Sequence, residues 1–164
     1  MTPAPCSVEL SSINFVIAPY LRDKPQLLGL KRYWDRKRGA RRMPTRVDID
    51  PLELPQHLGW LYLIDVSPDL SDFRYRLLGS RITEAYGRDG TGRTVREVHE
   101  AENPDYCAAI LALYRTIARD AIVAHEQGSL SVVSKEYRQY DVLYLPLDRG
   151  NGSVGVILAE MLLC

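Results

Sequence analysis

The segment GRDGTGR at residues 87–93 is the first place where residue types and spacing could do chemistry. Glycines between arginines can form a cradle in which backbone N–H groups and guanidinium groups bind a phosphate. A P-loop requires G-x-x-x-x-G-K-S/T after a buried parallel strand, and a dinucleotide-binding loop requires G-x-G-x-x-G. Gly87, Gly90 and Gly92 match neither spacing. We therefore interpret them as turn residues, with an anion site as the alternative.

A second candidate is the acidic motif RVDIDPLELP, which brings Arg46, Asp48, Asp50 and Glu53 close together. Carboxylates bind metal ions, but a calcium loop needs further oxygen ligands and a central glycine. Pairing of Arg46 with Asp48 or Asp50 would explain the charges without a metal. Asp50 also precedes a proline, which is typical of a residue that caps a helical turn.

Three histidines and three cysteines complete the candidates for metal binding or nucleophilic catalysis: His57, His99, His125, Cys6, Cys107 and Cys164. No histidine pair has the spacing of a zinc site, and the cysteines form no C-x-x-C motif. No G-x-S-x-G motif is present, so a catalytic triad of the hydrolase type is unsupported. We expect no metal site. An odd number of widely spaced thiols is typical of a reducing compartment, and we expect a cytoplasmic protein.

The segment 31–46 is strongly basic, with eight basic residues against one acidic residue. The rest of the chain has thirteen basic and twenty acidic residues, a net charge of −7, although the whole chain has a formal net charge of zero. Basic residues next to Tyr33 and Trp34 could bind nucleic acid. A solvated helix face and a protein-docking surface are the other interpretations. The docking candidates are Arg38, Arg41, Arg42 and Arg46.

The elements that must position these residues follow from periodicity and turn signals. Helices are predicted at 25–38, 80–86 and 104–120, and strands at 60–66, 73–79, 121–134, 138–147 and 154–163. The segment 40–57 contains three prolines and is predicted to be extended. Strands at both ends of a helical middle indicate an antiparallel α+β fold of one domain.

The chain has 164 residues, 46% of them hydrophobic and 26% charged, which is ordinary for one globular domain. We divide it into an N-terminal arm at 1–24 and a domain at 25–164, which begins with a helix and a basic linker (25–57). The arm carries no signal-peptide pattern. No apolar run reaches the ~18 residues of a membrane-spanning helix, so no membrane partner is expected.

Beyond these patterns, the motifs of the sequence resemble those of the PAS domain, and more closely those of a stand-alone PAS subfamily of alphaproteobacteria. The residues that carry the resemblance are Tyr33 and Trp34 in the leading helix, RVDIDP at 46–51, FRYRLLGSRI at 73–82 and GRDGTGR at 87–93. The resemblance covers roughly residues 25–162. It implies a five-stranded antiparallel sheet with short helices on one face and an N-terminal helix.

The resemblance also implies a ligand site between the inner face of the sheet and the helical middle. Alternation along 73–79 places Phe73, Tyr75 and Leu77 on one face. The wall candidates from alternation and resemblance are Tyr75, Leu77, Tyr86, His99, Tyr106, Tyr114 and Tyr144. Tyrosines suit a pocket that combines apolar walls with a few hydrogen bonds, and they equally suit a filled core.

The expected function is sensing or regulation through binding, without catalysis. His99 is the candidate haem ligand, and Cys107 lacks the N-C-R-F-L-Q context of flavin-binding PAS domains, so neither haem nor flavin is expected. The expected partners are a small-molecule ligand, a signalling protein such as a kinase, and a second copy that pairs through 8–38. The alternatives are a small cone-shaped α+β enzyme with a Tyr/His/Asp-lined pocket, and a nucleic-acid or protein adaptor that uses 31–46.

Overall fold

The computed structural model describes residues 7–11, 21–129 and 139–163. Within these ranges the elements are β1 (Ser7–Ser11), α1 (Pro25–Arg38), β2 (Leu61–Val66), β3 (Phe73–Leu78), α2 (Ser80–Tyr86), α3 (Val95–His99), α4 (Pro104–Asp120), β4 (Val123–Ser129), β5 (Gln139–Asp148) and β6 (Val154–Leu163). In this part of the chain, no helix is both long enough and apolar enough to cross a bilayer.

The strands form one antiparallel sheet in the order β1-β4-β5-β6-β2-β3. Strands β2 to β6 are the five that the sequence predicts, and the α+β class is confirmed. Strand β1 comes from the predicted arm and adds a sixth strand by pairing with Val123–Gln127 of β4. Residues 1–6 and 12–20 of the arm and residues 130–134 of the predicted strand 121–134 lie outside the described residues.

The sheet has an inner face covered by α2, α3 and α4 and an outer face covered by α1. On the inner face the ring of Tyr114 on α4 packs against that of Tyr144 on β5, with centroids 5.6 Å apart. On the outer face Trp34 of α1 is fully buried, and its indole N–H donates to the carbonyl of Pro146 at 3.0 Å. Side chains alternate along each strand, so every strand of the sheet's centre contributes to two apolar layers.

Local signals begin and end the helices as the sequence predicts. Pro25 and Pro104 occupy the first turns of α1 and α4, where the missing N–H removes no helical hydrogen bond. Arginine and lysine side chains fill the last turn of α1, which favours the negative end of the helix dipole. Gly87 ends α2 in the left-handed conformation with φ 76°.

The connection between α1 and β2 is not simply extended as predicted, because it contains three single-turn 3-10 helices: Arg46–Asp48, Pro51–Glu53 and Leu58–Trp60. Asp50 caps the second turn by accepting from the N–H of Leu52 at 3.0 Å, which confirms that prediction. The predicted pairing of Arg46 with Asp48 or Asp50 is wrong. Asp48 instead pairs with Arg41 at 2.9 Å, while Arg46 donates to the carbonyl of Ile49 at 3.1 Å.

Gly79, which caps α2, lies against the backbone of the third 3-10 turn. A Cβ atom at Gly79 would be 2.6 Å from the carbonyl carbon of Gly59 and 2.8 Å from the carbonyl oxygen of Leu58. Backbone atoms cannot rotate aside as the end of a side chain can. The close approach of these two segments therefore requires glycine at this position.

The Gly79→Ala substitution is expected to lower the free energy of unfolding by about 1–3 kcal/mol, because the added methyl group overpacks a rigid contact. Gly29→Ala is the matched control, since a Cβ there would lie 3.8 Å from the ring of His57, an ordinary contact distance. Alanine in the interior of α1 should instead stabilise the protein by up to ~1 kcal/mol. Urea denaturation measures both values, and a stabilising effect of Gly79→Ala would contradict the close approach.

Candidate functional site

A small cavity lies between the inner face of the sheet and helices α2 to α4. Its volume is about 30 Å³, enough for one or two water molecules. Five of the seven residues predicted for the ligand site line it: Tyr75, Tyr86, His99, Tyr106 and Tyr114. The sequence reasoning missed other lining residues, which include Tyr62, Leu78, Ile82, Arg88, Val98 and Met161. An arginine in a glycine-rich loop is usually exposed, so the sequence offered no signal that Arg88 lines the cavity.

The helix caps of the helical middle position three of these side chains. Thr94 begins α3 by accepting from the N–H of Glu97 at 3.2 Å, and the short helix then ends at His99. Asn103 begins α4 by accepting from the N–H of Tyr106 at 3.0 Å. Tyr106 and Tyr114 are eight residues apart on α4, so both point to the same side of the helix.

Leu77 does not share the inward face of Tyr75, and this part of the predicted site is wrong. The pairing of β2 with β3 shifts between Leu63 and Ile64, which leaves one extra residue on β3. Such a bulge reverses the alternation of side chains beyond it. Leu77 is consequently 45% exposed, and Leu78 lines the cavity in its place.

Tyr144 lies behind the cavity wall and connects it to a buried carboxylate. The hydroxyl of Tyr62 donates to that of Tyr144 at 3.2 Å, and the hydroxyl of Tyr144 donates to Glu126 Oε1 at 3.0 Å. Glu126 on β4 is only 2% exposed. A continuous hydrogen-bonded chain therefore runs from the cavity wall into the sheet, and the sequence offered no signal for the participation of Glu126.

His99 occupies the centre of the aromatic cluster. Its Nε2 shares a hydrogen bond with the hydroxyl of Tyr75 at 2.8 Å, and its ring meets the ring of Tyr106 edge-on with centroids 5.2 Å apart. Burial, helped by the nearby guanidinium of Arg88, lowers the pKa of His99 to about 4. The imidazole is therefore neutral at pH 7, with one nitrogen as donor and the other as acceptor.

The tyrosines around the cavity are kept in their neutral form. Burial raises the pKa of Tyr86 to about 12, and burial also raises the pKa values of Tyr62, Tyr75, Tyr106 and Tyr114. A protonated phenol can donate a hydrogen bond and accept another, but it does not act as a base at neutral pH. Apart from the guanidinium of Arg88, which pairs with Glu102, the cavity thus offers neutral hydrogen-bonding groups among apolar walls.

The residues around the cavity do not fit a haem or a flavin in this arrangement. Cofactor pockets usually measure ~300–1,000 Å³, an order of magnitude above the 30 Å³ present. The Nε2 of His99, the candidate haem ligand, is engaged with Tyr75. Cys107 is buried but is not part of the cavity lining, and burial raises the pKa of its thiol. Among the described residues, no group of three His, Cys, Asp or Glu side chains could hold a metal ion.

The four arginines predicted to bind a partner all make contacts within the chain. Arg38 pairs with Asp35 at 3.0 Å, and Arg41 donates to the carbonyls of Lys37 and Arg38 at the end of α1. Arg42 donates to the carbonyl of Asp120 at the end of α4 at 3.0 Å. Arginines at helix C-termini satisfy free carbonyls and complement the helix dipole. Arg46 lies apart from these helix ends, in the first 3-10 turn.

Comparison with known proteins agrees with this architecture. The chain resembles the solved structure of an RNA-binding light-oxygen-voltage receptor with a TM-score of 0.50 and 14% sequence identity. The alignment covers 98% of this chain but only 38% of the receptor chain. A search of curated proteins gave no match. The sequence model of the PAS domain matches residues 22–162, nearly the whole described domain. The chain therefore belongs to the PAS domain family.

Proposed function

We propose that this sensory or regulatory module responds to a small ligand at the tyrosine-lined cavity. The observation that carries the proposal is the arrangement of neutral phenols and a neutral imidazole around an internal space between sheet and helices. Apolar walls from Ile82, Val98 and Met161 complete the lining. Such a site suits a small uncharged molecule with a few hydrogen-bonding groups, because the guanidinium of Arg88 is already paired with Glu102 and a charged ligand would lose its hydration without a free counter-charge.

A ligand larger than one or two water molecules requires the helical cover to move. Arg88 holds that cover closed, since it donates to the carbonyl of Val98 and pairs with Glu102 at 2.7 Å. Ligand binding would then favour an open arrangement of α2 and α3 that is rarely populated in the free protein. We expect the change to reach a signalling protein, such as a kinase, or a second copy of the chain, in the cytoplasm.

The groups at the cavity support binding more than catalysis. Among the described residues none with a carboxylate lines the cavity, and His99 has a pKa of about 4, too low for a general base at neutral pH. The cone-shaped enzyme would need an acid and a base poised near pH 7.

Nucleic-acid binding through 31–46 is disfavoured by the use of its arginines at helix ends and in ion pairs. The structural neighbour is an RNA-binding receptor, but at 14% identity that likeness extends to the fold alone.

Native mass spectrometry of the protein purified from its own host tests the ligand proposal. We expect a mass excess in the native spectrum that disappears on denaturation, and its loss in the Tyr75→Leu variant. Leu77→Ser is the matched control, because Leu77 lies on the same strand outside the cavity. A host-purified protein without bound ligand would contradict the proposal.

A further inference from the structure

A second concavity, larger than the tyrosine-lined one, lies at the edge of the outer face. Its volume is about 340 Å³, within the range of sites that bind small molecules or side chains. We call it the outer groove; its main lining residues are Arg46, Val47, Asp65, Arg76, Arg149 and Val156. The first 3-10 turn forms one wall and is held to the β5–β6 hairpin, where the N–H of Asp148 donates to the carbonyl of Pro44 at 2.8 Å.

Positive charge in the outer groove exceeds what the nearby carboxylates neutralise. Arg76 pairs with Asp65 at 3.2 Å. Asp148 accepts from the backbone N–H groups of Gly150 at 2.6 Å and Gly152 at 3.0 Å, which holds its carboxylate in the hairpin turn without neutralising it. The three arginines and two aspartates of the lining leave one net positive charge, and among the described residues the guanidinium groups of Arg46 and Arg149 form no ion pair.

Neither of these two arginines has a carboxylate within 4 Å among residues 21–129 and 139–163. Arg46 donates to the carbonyl of Ile49 at 3.1 Å, and its Nε finds no hydrogen-bond acceptor in the described part of the chain. Arg149 donates to the carbonyls of Val66 and Val154. Backbone carbonyls satisfy donors but do not neutralise charge, so both cations can still attract a carboxylate.

The outer groove also presents apolar surface that is held rigidly in water. Val47 is 91% exposed at the tip of its turn. The turn is fixed by a reciprocal cap between Thr45 and Asp48 and by the Arg41–Asp48 ion pair. A rigid, exposed apolar side chain next to the valine floor at Val156 gains free energy when a partner covers it, with little loss of conformational freedom.

The geometry points to the outer groove as the docking site of an extended acidic segment of a partner protein. A carboxylate of that segment lies between Arg46 and Arg149, and a neighbouring apolar side chain covers Val47, beside the buried Val156. An inorganic anion would leave Val47 exposed, and a polyanion would meet the carboxylates of Asp65 and Asp148. Charge complementarity and apolar surface together therefore select a peptide. The site does not depend on a ligand in the inner cavity.

Fluorescence anisotropy with three labelled octapeptides tests this inference. The first alternates aspartate and leucine, the second lysine and leucine, and the third aspartate and serine. We expect the first to bind most tightly and the second not to bind. Arg46→Gln and Arg149→Gln should each weaken binding by about tenfold or more, and Val47→Ser by about fivefold.

The controls are Arg96→Gln and Leu52→Ser, which change an exposed arginine of α3 and an exposed leucine of the second 3-10 turn, both outside the outer groove. Circular dichroism and thermal unfolding confirm that each variant is folded. If the first peptide does not bind at concentrations up to about 1 mM, the weak limit of specific binding, the inference is overturned. Unchanged binding in both arginine variants, or full competition by inorganic phosphate, would also overturn it. Sedimentation that shows self-association lost in Val47→Ser would assign the groove to a second copy instead.

Discussion

Replacing Trp34 by alanine is expected to lower the free energy of unfolding by about 3–5 kcal/mol, the usual cost of removing a buried tryptophan side chain. Trp34 is fully buried between α1 and the outer face. Its loss leaves a cavity in that layer and removes the indole N–H that satisfies the carbonyl of Pro146 at 3.0 Å. Urea denaturation followed by far-ultraviolet circular dichroism measures the change.

Two further variants separate the cost of the lost hydrogen bond from the cost of the lost apolar volume and provide a control. Trp34→Phe keeps most of the apolar volume but leaves the Pro146 carbonyl without its donor, so we expect a smaller loss of about 1–3 kcal/mol. Trp60→Ala is the control, because Trp60 is only partly buried and should be less costly. If Trp34→Ala cost no more than Trp60→Ala, the packing of α1 on the outer face would be contradicted.

The stability of the protein is expected to fall as the pH decreases from 6.5 to 4, with His99 as one source. The pKa of His99 is lowered from 6.5 to about 4 in the folded protein, so over this interval the unfolded chain binds a proton that the folded protein excludes. Protonation therefore favours the unfolded chain, and the stability present above pH 6.5 is lost on acidification. A difference of about 2.5 pKa units corresponds to a loss on the order of 3 kcal/mol.

The difference between wild type and His99→Gln isolates this contribution. Glutamine cannot titrate, while the buried His57 and His125 are present in both proteins. Urea denaturation at a series of pH values should show a shallower slope between pH 6.5 and 4 in the variant. Nuclear magnetic resonance of the His99 ring protons should give a midpoint near pH 4 in the wild type. Parallel slopes, or a midpoint near 6.5, would contradict a buried neutral imidazole.

The sequence predicted the elements of the domain closely because local signals define them. The predicted helices 25–38, 80–86 and 104–120 match α1, α2 and α4. Prolines, glycines and capping side chains act within one turn of the chain, so their effect can be read without knowledge of the fold. The short helix α3 follows the same rule through its Thr94 cap, although it was predicted only as part of a helical region.

The candidate site was predicted less completely because its membership depends on distant contacts. Tyr75, Tyr86, Tyr106 and Tyr114 were expected from alternation and resemblance, and they do meet around one cavity. Leu77 was misplaced, since a bulge against β2 reversed the alternation of β3 after Tyr75. The bulge arises from the register of β3 with β2, so no pattern within the sequence of β3 alone predicts it.

The ion pairs and hydrogen bonds of the basic segment could likewise be predicted only in part from the sequence. The basic character of 31–46 is plain in the sequence, but the acceptors of its arginines lie at chain positions that only folding brings near. Arg42 meets the carbonyl of Asp120, 78 residues away. Arg46 was expected to pair with a neighbouring aspartate, yet Asp48 pairs with Arg41 and leaves the guanidinium of Arg46 at the outer groove.

The sequence by itself determined the α+β class, the positions of the helices and strands, and the concentration of tyrosines in the domain. These properties follow from side-chain periodicity and backbone preferences, which act over a few residues. Only the tertiary structure decided that the tyrosines leave about 30 Å³ between them, and that a larger groove opens on the outer face, where two arginines have no paired carboxylate among the described residues. Cavity volume and charge balance are small differences between large, closely packed surfaces, so they depend on register and packing across the whole fold.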